Sequence, residues 1–138
     1  MAGEKVRILV VDDEEPVRNL LQRILGEAGY NVDTAANGQE ALDKVSQLNA
    51  GVVLLDIKMP GMSGIEVLQQ ITTNWPETCV VMATAAGDAQ TAVEAMKAGA
   101  YDYITKPFDR DDVVLKVQKA IEKRDLLWHM LRNLETPD

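Results

Sequence analysis

A single cysteine, Cys79, stands in this chain of 138 residues, so neither an internal disulfide nor a cysteine-based zinc site can form, as suits a reducing compartment. Positive charge is also scarce. Against 22 Asp and Glu there are only 14 Lys and Arg, a net charge of −8. Phosphate backbones and anionic membranes repel such a chain, so no direct nucleic-acid or membrane partner is expected. Long apolar runs are missing too. Val52-Val53-Leu54-Leu55 is typical, far below the ~20 residues of a membrane span. The first residues, Met1 to Lys5, lack the apolar core of a signal peptide and lead directly into Val6 to Val11. There is no solenoid repeat, no low-complexity tract and no internal linker. What is present is a globular composition, 46% hydrophobic and 26% charged, with length for one core. An acidic, cytoplasmic single domain is the expectation.

The pattern of the chain alternates two kinds of segment. Ile8 to Val11 is a continuous apolar run, as in a strand buried on both faces of a parallel sheet. Asp12-Asp13-Glu14-Glu15 follows, and Pro16 fits the first turn of a helix, where its missing N–H costs nothing. Val17, Leu20, Leu21, Ile24, Leu25 and Ala28 recur at helical spacing before Gly29. A weaker strand is predicted over residues 31–35, closed by Asn37-Gly38, then a helix with Ala41, Leu42 and Val45 inward. Val52 to Leu55 ends at Asp56, and a helix with Ile65, Leu68 and Ile71 inward stops before Pro76. Cys79 to Ala83 is another strand, followed by Thr84 and a helix holding Ala89, Ala92, Val93 and Met96. Tyr101 to Thr105 is the last strand, then Lys106-Pro107 and a long helix from about Asp111. Five strands alternating with five helices predict a doubly wound α/β domain around a parallel sheet.

In such sheets ligands bind beyond the carboxyl ends of the strands. Those ends carry Asp12 and Asp13, then Asp56, Thr84 and Lys106. Three carboxylates side by side require a positive charge between them. Their hard oxygens suit a small divalent cation such as Mg²⁺. Metal, ammonium and hydroxyl together can neutralise the oxygens of a phosphoryl group, and a carboxylate among them can act as its nucleophile. Any one of these residues alone reads as a helix cap or a solvated side chain. Capping does not account for five of them at four strand ends.

These segments resemble the receiver domain of two-component response regulators. The resemblance rests on Val10-Val11-Asp12-Asp13-Glu14, on Leu54-Leu55-Asp56-Ile57-Lys58-Met59-Pro60-Gly61-Met62-Ser63-Gly64, on Met82-Ala83-Thr84-Ala85, and on the run from Tyr101 to Phe108. Thr84 lies 28 residues after Asp56 and Lys106 lies 50 after it, which also suits that family. The resemblance implies a flavodoxin-like sheet in the order 2-1-3-4-5. It implies that Asp56 is phosphorylated by a phosphohistidine of a sensor histidine kinase or phosphotransfer protein. Mg²⁺ would be held by Asp12, Asp13, Asp56 and the Lys58 backbone carbonyl. Lys106 would pair with the phosphoryl oxygens, the Lys106-Pro107 bond would be cis, and the Ala85 N–H would approach the phosphate. Thr84 would turn towards the phosphate, and Tyr103 would follow from an outward to an inward rotamer. Such a domain catalyses only its own phosphorylation and slow dephosphorylation.

Two rival functions fit less well. A flavin-binding protein of this sheet type needs a Ser/Thr/Gly-rich loop after the first strand, where Asp12 to Glu15 would repel a phosphate. A haloacid-dehalogenase-type phosphatase carries its nucleophile after the first strand as Asp-x-Asp, a spacing that Asp12-Asp13-Glu14 lacks. Cys79 reads as a small core residue, and His129, far along the chain from the acids, is no expected phosphodonor. Met59 and Met62 read as packing or partner surface, while Lys58 either tunes phosphate hydrolysis or is simply solvated.

The receiver is assigned to residues 5–124, with residues 125–138 as a C-terminal helix extension and linker to an output domain outside this chain; a stand-alone receiver is the alternative. From Asp111 to Leu134 the last helix would run about 36 Å. Val113, Val117, Ala120, Arg124, Leu127, Leu131 and Leu134 are spaced by alternating steps of 4 and 3, a heptad seam broken only at Arg124. The seam beyond Arg124 predicts a homodimer through this helix, against the alternative that Leu127, Trp128 and Leu131 fold back.

Overall fold

The computed structural model describes residues 6–85 and 87–135. Five strands, β1 (Arg7–Val11), β2 (Asn31–Ala35), β3 (Val52–Asp56), β4 (Cys79–Ala85) and β5 (Asp102–Lys106), alternate with five helices, α1 (Glu15–Glu27), α2 (Gly38–Leu48), α3 (Gly64–Asn74), α4 (Ala89–Lys97) and α5 (Arg110–Glu135). The strands form one parallel sheet in the order β2-β1-β3-β4-β5, as expected. Central β3 is buried along its whole length, which is why it reads as unbroken Val and Leu.

Alternate side chains point to opposite faces and feed two cores. Leu9, Val11, Val53, Leu55 and Met82 pack with Val45, Leu68 and Ile71 from α2 and α3. On the other face Ile8, Val10, Leu54 and Val81 pack with Leu21 and Leu25 of α1 and with Val113 and Val117 of α5. Cys79 is buried in this second core.

Local signals start and stop the elements. Pro16 lies in the first turn of α1, and Gly29 beyond its end takes φ +98°. The Asn37 side chain accepts the Glu40 N–H at 2.9 Å at the start of α2. Ser63 and Glu66 form a reciprocal capping box at α3: Ser63 Oγ accepts the Glu66 N–H at 3.2 Å, and Glu66 accepts the Ser63 N–H at 2.9 Å. That box brings α3 close beneath the end of β3, because a Cβ on Gly64 would run into the Asp56 carbonyl oxygen and lie 2.6 Å from Ile57 Cα.

The structure departs from the sequence-based expectations at the end of β4, in the inner faces of α4 and α1, and along the tail of α5. Pairing continues past the apolar run, so Thr84 and Ala85 still belong to β4, in register with Thr105 and Lys106. Backbone pairing needs no apolar side chain, and periodicity alone ends the strand too early. In α4 the inward face is made by Ala92 and Ala95, leaving Ala89, Val93 and Met96 exposed. Leu20 in α1 is likewise exposed, because Leu21, Ile24 and Leu25 fill the face that meets the sheet. Along α5, Val113, Val117 and Ala120 are buried, and Arg124 lies over Gly51, where a Cβ would come 3.2 Å from its Nε. The break in the seam therefore marks where the helix passes the far end of the sheet. Beyond it Leu127 is half-buried and the open apolar positions are Leu126 and Met130, beside the predicted seam. The side chains of Trp128, Leu131 and Leu134 lie outside the described residues.

Two glycine substitutions should therefore have opposite effects. Gly26 lies within α1, and a methyl group added there would have nothing within 4 Å, so Gly26→Ala should stabilise by about 0.5–1 kcal/mol. Gly64→Ala meets backbone and should cost about 1–3 kcal/mol. Denaturant midpoints of the two variants check both signs.

Candidate functional site

The carboxyl ends of β1, β3, β4 and β5 meet at one edge of the sheet. Asp12 follows β1 directly and is buried. Its Oδ1 accepts the Glu14 N–H at 2.9 Å, and its main-chain carbonyl accepts from Arg18 Nη1 at 2.8 Å. Asp56 ends β3 and is buried as well, whereas Asp13 is exposed. Oxygens of Asp12, Asp13 and Asp56 lie within 4.8 Å of one another. From β5, Lys106 Nζ reaches 3.3 Å from both Asp12 Oδ2 and Asp56 Oδ1. The Lys106-Pro107 bond is cis.

Charge is poorly balanced here. Burial, and next the Asp12 carboxylate, push the Asp56 carboxyl above its ordinary pKa, against the pull of Lys106. Burial by itself would lower the Lys106 ammonium, but Asp56 and Asp12 more than offset it and raise it. Lys106 thus pairs with two of the three clustered carboxylates. Hard oxygens in a close group with surplus negative charge are the donor set of a hard divalent cation, and Asp12, Asp13 and Asp56 can hold one.

Thr84, buried on β4, and Ala85 after it line a cleft of about 230 Å³ together with Asp56, Lys58, Asp88 and Lys106. Across the cleft mouth Lys58 Nζ lies 3.7 Å from Asp88 Oδ2, and Asp88 Oδ1 accepts from Thr91 Oγ1 at 2.6 Å. The Thr91 hydroxyl, and then Lys58, hold the Asp88 carboxyl below its usual range. Lys58 is otherwise exposed, so this pair is weak in itself.

The structure therefore gathers Asp12, Asp13, Asp56, Lys58, Thr84, Ala85 and Lys106 at one place. Tyr103 stays outside it, exposed on β5. Met59 is buried and Met62 packs against the same core, so both are packing residues. His129 is exposed on α5. Arg18 and Asp88 escaped sequence reading. Arg18 looks like any charge on a helix face, and Asp88 before Ala89 like an ordinary helix cap.

This is a flavodoxin-like α/β domain with an acidic, lysine-bridged site at its strand ends. The chain belongs to the response regulator receiver domain family, which matches residues 8–118. It is 41% identical over 133 residues to the regulatory protein AtoC of Escherichia coli strain K12, an overlap of 94% of this chain and 29% of that protein. With the transcriptional regulatory protein ResD of Bacillus subtilis strain 168 it shares 44% over 132 residues, 96% of this chain and 55% of ResD. The chain thus spans under a third of AtoC and about half of ResD. Among solved structures, the receiver domain of NtrX from Brucella abortus superposes with a TM-score of 0.81 at 39% identity, covering 83% of this chain and 98% of that one. A response regulator receiver domain protein from Clostridium thermocellum gives 0.84 at 34%, covering 88% and 98%. The chain is a receiver domain of two-component signalling. Among the described residues no helix is long and apolar enough to cross a membrane.

Because burial and Asp12 disfavour the Asp56 charge, Asp56→Asn should stabilise the fold in chelator-treated buffer at neutral pH, on the order of 1–2 kcal/mol. Lys106 keeps Asp12 as a partner in that variant. Exposed Asp13→Ala should change stability by less than about 0.5 kcal/mol under the same conditions. Urea titrations of both variants test the contrast.

Proposed function

We propose that Asp56 accepts a phosphoryl group from a phosphohistidine of a sensor histidine kinase or phosphotransfer protein. The observation that carries this reading is Lys106 Nζ, 3.3 Å from Asp56 and from Asp12 at the lip of the cleft. An Asp56 carboxylate oxygen attacks phosphorus, the P–N bond to the imidazole breaks, and its electron pair leaves with the nitrogen. Lys106 and the Thr84 hydroxyl donate to the phosphoryl oxygens, and the Ala85 N–H faces them. Asp12, Asp13, Asp56 and the Lys58 carbonyl hold Mg²⁺, which when bound supplies neutralising charge for those oxygens. The domain turns over only its own phosphate, with slow hydrolysis of the acyl phosphate.

The signal leaves through Thr84 and Tyr103. Thr84 turns to the phosphate, Tyr103 moves from its outward position towards the space vacated, and an output domain or partner reads the altered surface. Residues 5–124 make up this receiver and residues 125–138 extend it towards an output domain, in the cytoplasm. The relatives' greater length supports the linker assignment. A homodimer through the extension of α5 completes the proposal, with exposed Leu126 and Met130 beside half-buried Leu127 supporting it.

Acetyl phosphate with Mg²⁺ should add the mass of one phosphoryl group to the wild type, and none to Asp56→Asn or to wild type in chelator. Asp13→Ala should need more Mg²⁺ for the same labelling. Incorporation that survives Asp56→Asn would overturn the assignment. For the dimer, light scattering should give twice the chain mass at high concentration, and Leu126→Asp with Met130→Asp should give a folded monomer still labelled at Asp56. A wild type that stays monomeric when phosphorylated excludes that contact.

A further inference from the structure

Tyr103 stands 37% exposed on β5, away from the cleft, and the side chain of Lys116 lies against it. The Lys116 ammonium lies 5.2 Å from the centre of the ring. It donates to the Tyr103 main-chain carbonyl at 2.7 Å. Its remaining directions face Asp102 Oδ1 at 3.9 Å and Asp112 Oδ2 at 3.7 Å. An exposed lysine usually loses side-chain entropy when it settles over a ring. Here a hydrogen bond to the carbonyl anchors the ammonium, and carboxylates on β5 and α5 within 4 Å hold it nearby. The ring therefore meets a cation already held in place by the Tyr103 carbonyl, on a half-buried Lys116.

We propose that Lys116 is a positioning residue that bolts Tyr103 outward and so sets how often the inward form is visited before phosphorylation. This rests on Tyr103 being the moving element of the receiver. Moving the ring inward gives up the cation–π contact, while the Lys116 contacts with the carbonyl and carboxylates can persist. Only the outward form gains from Lys116, so the residue shifts the equilibrium between the two. Without the cation, the inward-to-outward ratio should rise about two- to fivefold, the weight of one exposed cation–π contact.

The whole chain labelled with 3-fluorotyrosine provides the test, because ¹⁹F resonances report ring environment and Tyr103→Phe identifies the signal among the three tyrosines. In the wild type the Tyr103 signal should move when mass spectrometry shows Asp56 phosphorylated. In unphosphorylated Lys116→Met it should already lie part-way to that end point, and in Lys116→Arg, which keeps a cation over the ring, near the wild-type position. Lys116→Gln serves as a second uncharged variant should Lys116→Met fold poorly, and circular dichroism checks each fold. A wild-type signal that shifts on phosphorylation while both uncharged variants start from the wild-type position overturns the bolt and leaves the switch standing. A wild-type signal unmoved by complete phosphorylation overturns both. A Lys116 with only a structural role would lower the melting temperature without moving the signal.

Discussion

The Lys106 ammonium, 3.3 Å from Asp12 and 3.3 Å from Asp56, is the contact around which the strand ends are arranged. Two buried carboxylates and a third close by repel one another, and this cation is the counter-charge that β5 delivers to them. Its delivery depends on topology. β5 has to lie beside β4 and run parallel to it through Lys106, in register with Ala85, for the ammonium to reach across to β3 and β1. A one-residue slip would turn Lys106 to the other face. The sheet order and the site are therefore two descriptions of a single constraint.

The same contact leaves charge uncompensated. One ammonium does not neutralise three carboxylates, and Asp56 remains reluctant to ionise through burial and through Asp12. A site that is fully satisfied when empty would gain little from a cation. This one keeps a surplus of negative charge that a cation would relieve, so the proposed Mg²⁺ binding would draw on an imbalance already present in the fold.

Much of this was legible along the chain because its strongest signals are local. Buried strands such as Val52 to Leu55 read as unbroken apolar runs, and the acids, Thr84 and Lys106 stand at run ends where a parallel sheet places its ligands. The less legible features depend on tertiary neighbours. Val93 and Met96 have the right spacing for an inner face, yet Ala92 and Ala95 occupy it, since the small residues are what meet the sheet. Arg18 reaches the Asp12 carbonyl, and Asp88 meets Lys58, only because separate loops converge. The Arg124 break in the heptad has meaning once Gly51 is seen beneath it.

That long final helix has a mechanical consequence. α5 runs for 26 residues, about 39 Å, from beside the cis Lys106-Pro107 bond past the opposite end of the sheet. It is clamped at Val113, Val117 and Ala120, and past Arg124 Leu126 and Met130 are exposed. Such a rod is a lever with its fulcrum in the core: the arm from Ala120 to Glu135 is about 22 Å, so each degree of tilt displaces its far tip by about 0.4 Å. A tilt of a few degrees within the core would arrive at the far tip as a displacement of about 1–2 Å.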